Sequence, residues 1–87
     1  MQTLTVLASL HVEAFEDGAL IVDLENNQMH QTNSVGRRIF ELLEVPRTRE
    51  DVIEALGAEF DVERNLLTAD VDAFLEMLNQ NNWLESP

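Results

Sequence analysis

An alternation of apolar and polar residues near the start of the chain limits its fold more than any other feature. Leu4, Val6, Ala8, Leu10, Val12 and Ala14 are apolar, and Thr5, Ser9, His11 and Glu13 between them are polar, with Leu7 and Phe15 as exceptions. Successive side chains of a strand point to opposite faces, so a period of two over residues 4–15 predicts one strand with a single face on a core. Asp17-Gly18 follows. That pair accepts the positive φ of a tight hairpin turn and predicts a return strand over residues 19–24. Asn26-Asn27 offers a second turn, because Asn tolerates the left-handed region. A short, mostly polar third strand over residues 28–32 completes an antiparallel meander.

The remainder has helical spacing. Asn33 and Ser34 are both good N-cap candidates, and Val35, Ile39, Leu42 and Leu43 repeat at the helical period until Val45-Pro46 ends it. Thr48-Arg49-Glu50-Asp51 resembles a capping box with Asp in place of Glu, opening a helix that turns Val52, Ile53, Leu56 and Phe60 inward. Asp61 is the expected cap of a third helix running to about Asn81, with Leu67, Val71, Phe74, Leu75 and Leu78 as its core stripe. Asn81-Asn82 can close it in a left-handed turn that folds Trp83-Leu84 back onto the core. The expectation is an α+β fold in which three strands precede three helices. One shoulder of the third stripe carries Thr68, Asn79 and Asn82, and the other carries Leu66, Asp70, Ala73 and Met77. The second shoulder stays half apolar, with a small residue and a flexible thioether, and suits either a wider core or the wall of a groove.

At 87 residues and 45 % hydrophobic content, the chain predicts one globular domain spanning residues 1–87. No cysteine is present, so disulfides and thiolate zinc sites are excluded. The first basic residue is Arg37 and the longest apolar run is Ala19-Leu20-Ile21-Val22. These features predict neither a signal peptide nor a membrane span, and hence a cytoplasmic protein. Seventeen acids against five arginines and no lysine give a net charge of −12. A field of that sign repels polyphosphate and anionic lipid and draws basic partners inward. Four of the arginines, Arg37, Arg38, Arg47 and Arg49, nevertheless cluster in one stretch with only Glu41 and Glu44 as acids.

Catalytic signatures are missing. Ser9 lies in the first expected strand, Ser34 is explained as a helix cap and Ser86 is in the tail. No Gly-x-Ser-x-Gly elbow or Gly-rich phosphate loop occurs. His11 and His30 match no metal-ligand spacing. The expectation is therefore a non-enzyme with no cofactor and no metal. A carrier protein would need an Asp-Ser-Leu-like site for phosphopantetheine. Asn33-Ser34-Val35 is a weak echo of one, and a strand-rich first third contradicts the all-helical carrier fold. A winged-helix DNA-binding protein would need basic residues on its third helix, which offers Arg64 against Asp61, Glu63, Asp70, Asp72 and Glu76. Peptide binding fits better. A three-stranded meander has two open edges, and an extended peptide can add itself as a further strand. Gln28, Met29, His30, Gln31 and Thr32 lack the Lys or Pro that usually blocks an edge, although an ordinary solvated edge has the same composition.

The stretch from Gly18 to Gly36, with Leu20-Ile21-Val22-Asp23-Leu24 and Thr32-Asn33-Ser34-Val35-Gly36, resembles the "apolar-apolar-Asp-Leu … Leu-Asn-x-x-Gly/Ala" segment of PqqD-like proteins. Those proteins are recognition elements for ribosomally made, modified peptides (RiPPs). Ile39-Phe40-Glu41-Leu42-Leu43 with the stretch from Pro46 to Leu56 resembles a second block of the family. The stretch from Asp70 to Leu78 with Trp83-Leu84 resembles a third. Thr32 departs from the family's usual Leu, which puts the packing at the end of the third strand in question. The resemblance implies a winged helix-turn-helix in which the leader region of a precursor peptide docks as an antiparallel strand between the third strand and the third helix. Its implied backbone partners are Gln28, Met29, His30, Gln31 and Thr32, and its implied groove wall is Asp70, Ala73, Phe74 and Met77. The implied partners are a leader peptidase and a cyclase, as in lasso-peptide synthesis, or a radical enzyme, as in pyrroloquinoline quinone synthesis.

Overall fold

Residues 2–85 are described by a computed structural model, so Ser86 lies outside the described residues. Strands β1 (His11–Phe15), β2 (Gly18–Asp23) and β3 (Gln28–Asn33) precede helices α1 (Ser34–Leu42), α2 (Arg49–Glu59) and α3 (Arg64–Gln80). The strands form one antiparallel sheet in the order β1-β2-β3, as the sequence leads one to expect. The helices lie on one face, with α1 across β2 and β3 and α3 packed on α1 and α2. The core between the layers takes Ile21 from β2, Ile39, Phe40 and Leu42 from α1, and Val52, Ile53 and Leu56 from α2. From α3 it takes Leu67, Val71, Phe74 and Leu78, and Trp83 is fully buried beyond that helix.

The local signals act where their chemistry places them. The Asn33 side chain accepts the Gly36 amide at the start of α1. Thr48 and Asp51 exchange hydrogen bonds in a full capping box on α2. Asn27 takes a positive φ of 55° in the turn between β2 and β3. At the end of α3, Asn82 takes φ 59°, the Trp83 amide donates to the Leu78 carbonyl and the Asn82 amide to the Asn79 carbonyl. That hydrogen-bond pair is a Schellman closure, and it directs Trp83 back into the core.

Three expectations are corrected. The alternation of residues 4–15 does not make one strand: only residues 11–15 join the sheet, and all of β1 is exposed. Residues 4–7 instead lie between the α1–α2 loop and the C-terminal tail. Leu4 exchanges backbone hydrogen bonds with Arg47, the Val6 amide donates to Leu43, and the Leu7 amide donates to Trp83. A turn at Ala8-Ser9 separates the two halves. The first hairpin turns on Glu16-Asp17, since Phe15 pairs with Gly18, and no glycine has positive φ. Gly18 is required for a different reason, because a Cβ there would collide with the Thr32 carbonyl across the ladder. Finally, α3 begins at Arg64 with Glu63 as N-cap and no side-chain capping bond, too far along for Asp61 to close it.

Candidate functional site

The third strand is an edge of the sheet. Its register against β2 pairs Ala19 with Thr32, Ile21 with His30 and Asp23 with Gln28. Paired residues share a face, so Gln28, His30 and Thr32 point toward the helices, and Met29 and Gln31 point away from them. Backbone groups alternate in the same way. The Thr32 carbonyl lies against Gly18 on β2. In an antiparallel ladder the N–H and C=O of one residue face the same side and alternate along the strand. Those of Thr32, His30 and Gln28 therefore point into the sheet, and those of Met29 and Gln31 point out at the open edge.

Beside that edge lies a groove of about 270 Å³ between β3, the first turns of α1 and the middle of α3. Its lining takes His30, Thr32 and Asn33 from β3, Val35, Gly36 and Ile39 from α1, and Asp70, Ala73, Phe74 and Met77 from α3. The His30 ring meets Phe74 edge-on, with centroids 6.5 Å apart and planes at 70°. Thr32, the departure from the family pattern, sets its hydroxyl against Gly36, where any Cβ would also crowd the Phe74 ring at 3.0 Å. Glycine at this point lets α1 approach β3 closely and leaves the groove its depth.

Of the nine residues expected at the site, the groove brings together His30, Thr32, Asp70, Ala73, Phe74 and Met77. Gln28, Met29 and Gln31 are exposed and do not line it. The sequence reading missed the α1 side. Helical spacing alone places Val35 and Ile39 on one stripe of α1 without a groove, and the signal that could place them there is Gly36, since a glycine inside a helical pattern can have a packing reason.

The β2–β3 turn that positions the edge is fixed by Asp23. Its carboxylate accepts the Asn26 amide at 3.2 Å, the Asn26 side chain at 2.9 Å and the Trp83 indole at 2.8 Å. The hydrogen bonds from Asn26 and then Trp83 hold its pKa below the ordinary carboxylate value, against the opposing effect of burial. The arginine cluster is likewise structural. Arg37 binds Glu41 and the Phe15 carbonyl, Arg38 forks onto Glu59, Arg47 caps the Leu42 carbonyl, and Arg49 forks onto Asp72 at 2.6 and 3.0 Å. Asp70 has no ion pair and no side-chain hydrogen bond among the described residues. No group of three or more His, Cys, Asp or Glu among them could hold a metal ion. An open edge next to an apolar groove can bind an extended chain, its backbone on the strand and its alternate side chains in the groove.

The sequence model of the family described as coenzyme PQQ synthesis protein D (PqqD) matches residues 18–84. Among solved structures, TbiB1 in complex with the TbiA(beta) leader peptide has a TM-score of 0.79 at 25 % identity, with 95 % of this chain and 96 % of that one covered. Lasso peptide synthetase B1 complexed with the leader peptide gives 0.75 at 22 % identity over 95 % and 98 %. The PqqD truncation of Methylobacterium extorquens PqqCD, a functional and stand-alone RiPP recognition element, gives 0.75 at 16 % identity over 97 % and 89 %. These last two likenesses speak to the fold alone. No curated protein matches the chain in sequence.

Proposed function

The chain belongs to the PqqD family, and on that premise we propose that it binds the leader region of a ribosomally synthesised precursor peptide and presents it to processing enzymes. The leader adds to β3 as an antiparallel strand and places alternate side chains in the groove against Asp70, Ala73, Phe74 and Met77. The observation that carries this reading is the open β3 edge with an apolar groove beside it. The likeness to TbiB1, whose structure holds a leader peptide, supports leader binding, and the shared fold with lasso peptide synthetase B1 makes a lasso-peptide route, with a leader peptidase and a cyclase as partners, the first choice. Service beside a radical enzyme in quinone-cofactor or other RiPP synthesis is the second reading, favoured by the family's own description.

The protein acts by binding rather than by catalysis, works in the cytoplasm and needs no cofactor. No helix among the described residues is long and apolar enough to cross a membrane. Net charge of −12, with the arginines engaged in ion pairs and backbone contacts, argues against nucleic acid and anionic lipid as partners. Ser34 sits beside the Asn33 cap of α1 in a strand-containing fold, which argues against a carrier role.

Energetics set where affinity comes from. Ordering a disordered leader costs about 2–5 kcal/mol. A few strand hydrogen bonds at roughly 1 kcal/mol net each about offset that cost. Two or three apolar side chains buried in the groove, at about 1.5–3 kcal/mol each, then provide most of the net binding. The test is processing in trans. Removal of a precursor's leader by the peptidase should speed up strongly when this protein is added, and a rate unaffected by it would contradict the proposal.

A further inference from the structure

We infer that the groove selects a basic side chain, arginine or lysine, in the extended segment that pairs with β3, and that Asp70 is its counter-charge; this rests on the peptide-binding reading above. Among the described residues, Asp70 is the one acid that lines the groove. Val35, Ile39, Ala73, Phe74 and Met77 give the wall its apolar part, and His30, Thr32 and Asn33 of β3 add polar groups without a negative charge. An arginine or lysine matches that surface in both halves, since its methylene stem packs on apolar groups while its charged head reaches a polar rim.

Among the described residues no arginine is left over for Asp70. Arg37 is held by Glu41, Arg38 by Glu59, Arg49 by Asp72 and Arg64 by Glu54, and Arg47 caps the Leu42 carbonyl. No lysine exists. The contrast with Asp72 is direct: two residues along the same helix, that carboxylate takes a forked bond from Arg49, whereas Asp70 faces the groove without a partner among the described residues. A guest hydroxyl, as on tyrosine, would leave the negative charge uncompensated within a chain already at −12, and a guest cation neutralises it.

The experiment selects short random peptides displayed on phage against the full chain, then titrates a selected peptide by calorimetry. Binders are expected to share an arginine or lysine at one register. Replacing that residue by citrulline, which keeps shape and removes charge, is expected to weaken binding about tenfold. Asp70→Asn is expected to lose a similar factor and to bind the arginine and citrulline peptides alike, whereas Glu76→Gln, an exposed acid of α3 outside the groove, keeps the distinction. Binders that shift the Met29 and Gln31 amide resonances but carry no basic preference would overturn the inference and leave the peptide-binding reading intact. So would an arginine–citrulline difference that survives in Asp70→Asn. If no selected peptide shifts those amides, both readings fail.

Discussion

The indole Nε1 of Trp83 donates a 2.8 Å hydrogen bond to Oδ2 of Asp23, joining residues sixty positions apart. Trp83 is fully buried, and Asp23 is the one buried charged residue among those described. Through this contact the tail beyond α3 is tied to the turn that aims β3, so the open edge and the groove wall are held by one buried carboxylate.

Stability should fall in acid through this carboxylate. Its folded pKa lies below the ordinary aspartate value of 3.8, as does that of Asp72 beside Arg49, and Glu59 beside Arg38 lies below the ordinary glutamate value. A depressed folded pKa means that the unfolded chain binds the proton first. The stabilisation is therefore present above the unfolded value and is lost as pH falls through the folded one. Asp23→Asn should lower the urea midpoint at pH 7 and flatten the decline between about pH 5 and pH 2. Urea melts across that range check it, and an acid limb as steep as that of the parent would remove Asp23 from the account.

The two crowded glycines should respond differently to the same substitution. At Gly36 an added Cβ meets the Thr32 side chain and the Phe74 ring, so Gly36→Ala should cost about 1–3 kcal/mol by overpacking and make the groove shallower. Thr32→Ala in the same chain removes part of the obstruction and should restore some of that loss. At Gly18 the obstruction is the Thr32 backbone, which no side-chain change relieves. Gly18→Ala should therefore be the more damaging and should not be rescued by Thr32→Ala. Equilibrium unfolding of the single and double variants decides this.

Within the groove, Met77→Asp should weaken peptide binding tenfold or more, since about 1.5–3 kcal/mol of apolar burial is lost. Met77 is only partly buried, so the domain should stay folded by circular dichroism. Met29 is 69 % exposed on the other face of β3. Met29→Asp should change affinity little, and equal losses at the two positions would misplace the groove.

Proline substitution can separate the two sides of β3. At Gln31 it removes an amide that faces the open edge, where a sheet tolerates proline. Gln31→Pro should therefore fold yet bind peptide poorly. At His30 it removes an amide that faces β2 and should damage the sheet itself. Circular dichroism and calorimetry together check the pair, and a stable His30→Pro protein that binds poorly, beside a destabilised Gln31→Pro protein, would reverse the assignment of outward groups.

Much of the fold was legible because its signals are local. Asn27 and Asn82 announce left-handed turns by residue type, Thr48 and Asp51 form their box within one helical turn, and the α3 stripe follows from spacing. Leu4 and Val6 could not be placed in this way. Their alternation is real, but pairing with Arg47 and Leu43 depends on where a distant loop comes to rest. Gly18 misled for the same reason, because its small size answers a strand far along the sequence rather than its own turn. The α3 side of the groove was visible as a half-apolar shoulder at Ala73 and Met77. The α1 side was hidden, since Val35 and Ile39 repeat at core spacing whether they face a neighbour or a vacancy.

The most direct test follows the backbone amides of β3 by two-dimensional NMR while a precursor leader peptide is titrated in. The Met29 and Gln31 amides should exchange readily with solvent in the free protein, then shift and become protected once the leader binds, with Ala73 and Met77 shifting alongside. Amides at 29 and 31 already protected without peptide, or a bound leader that leaves them unmoved, would contradict strand addition at β3.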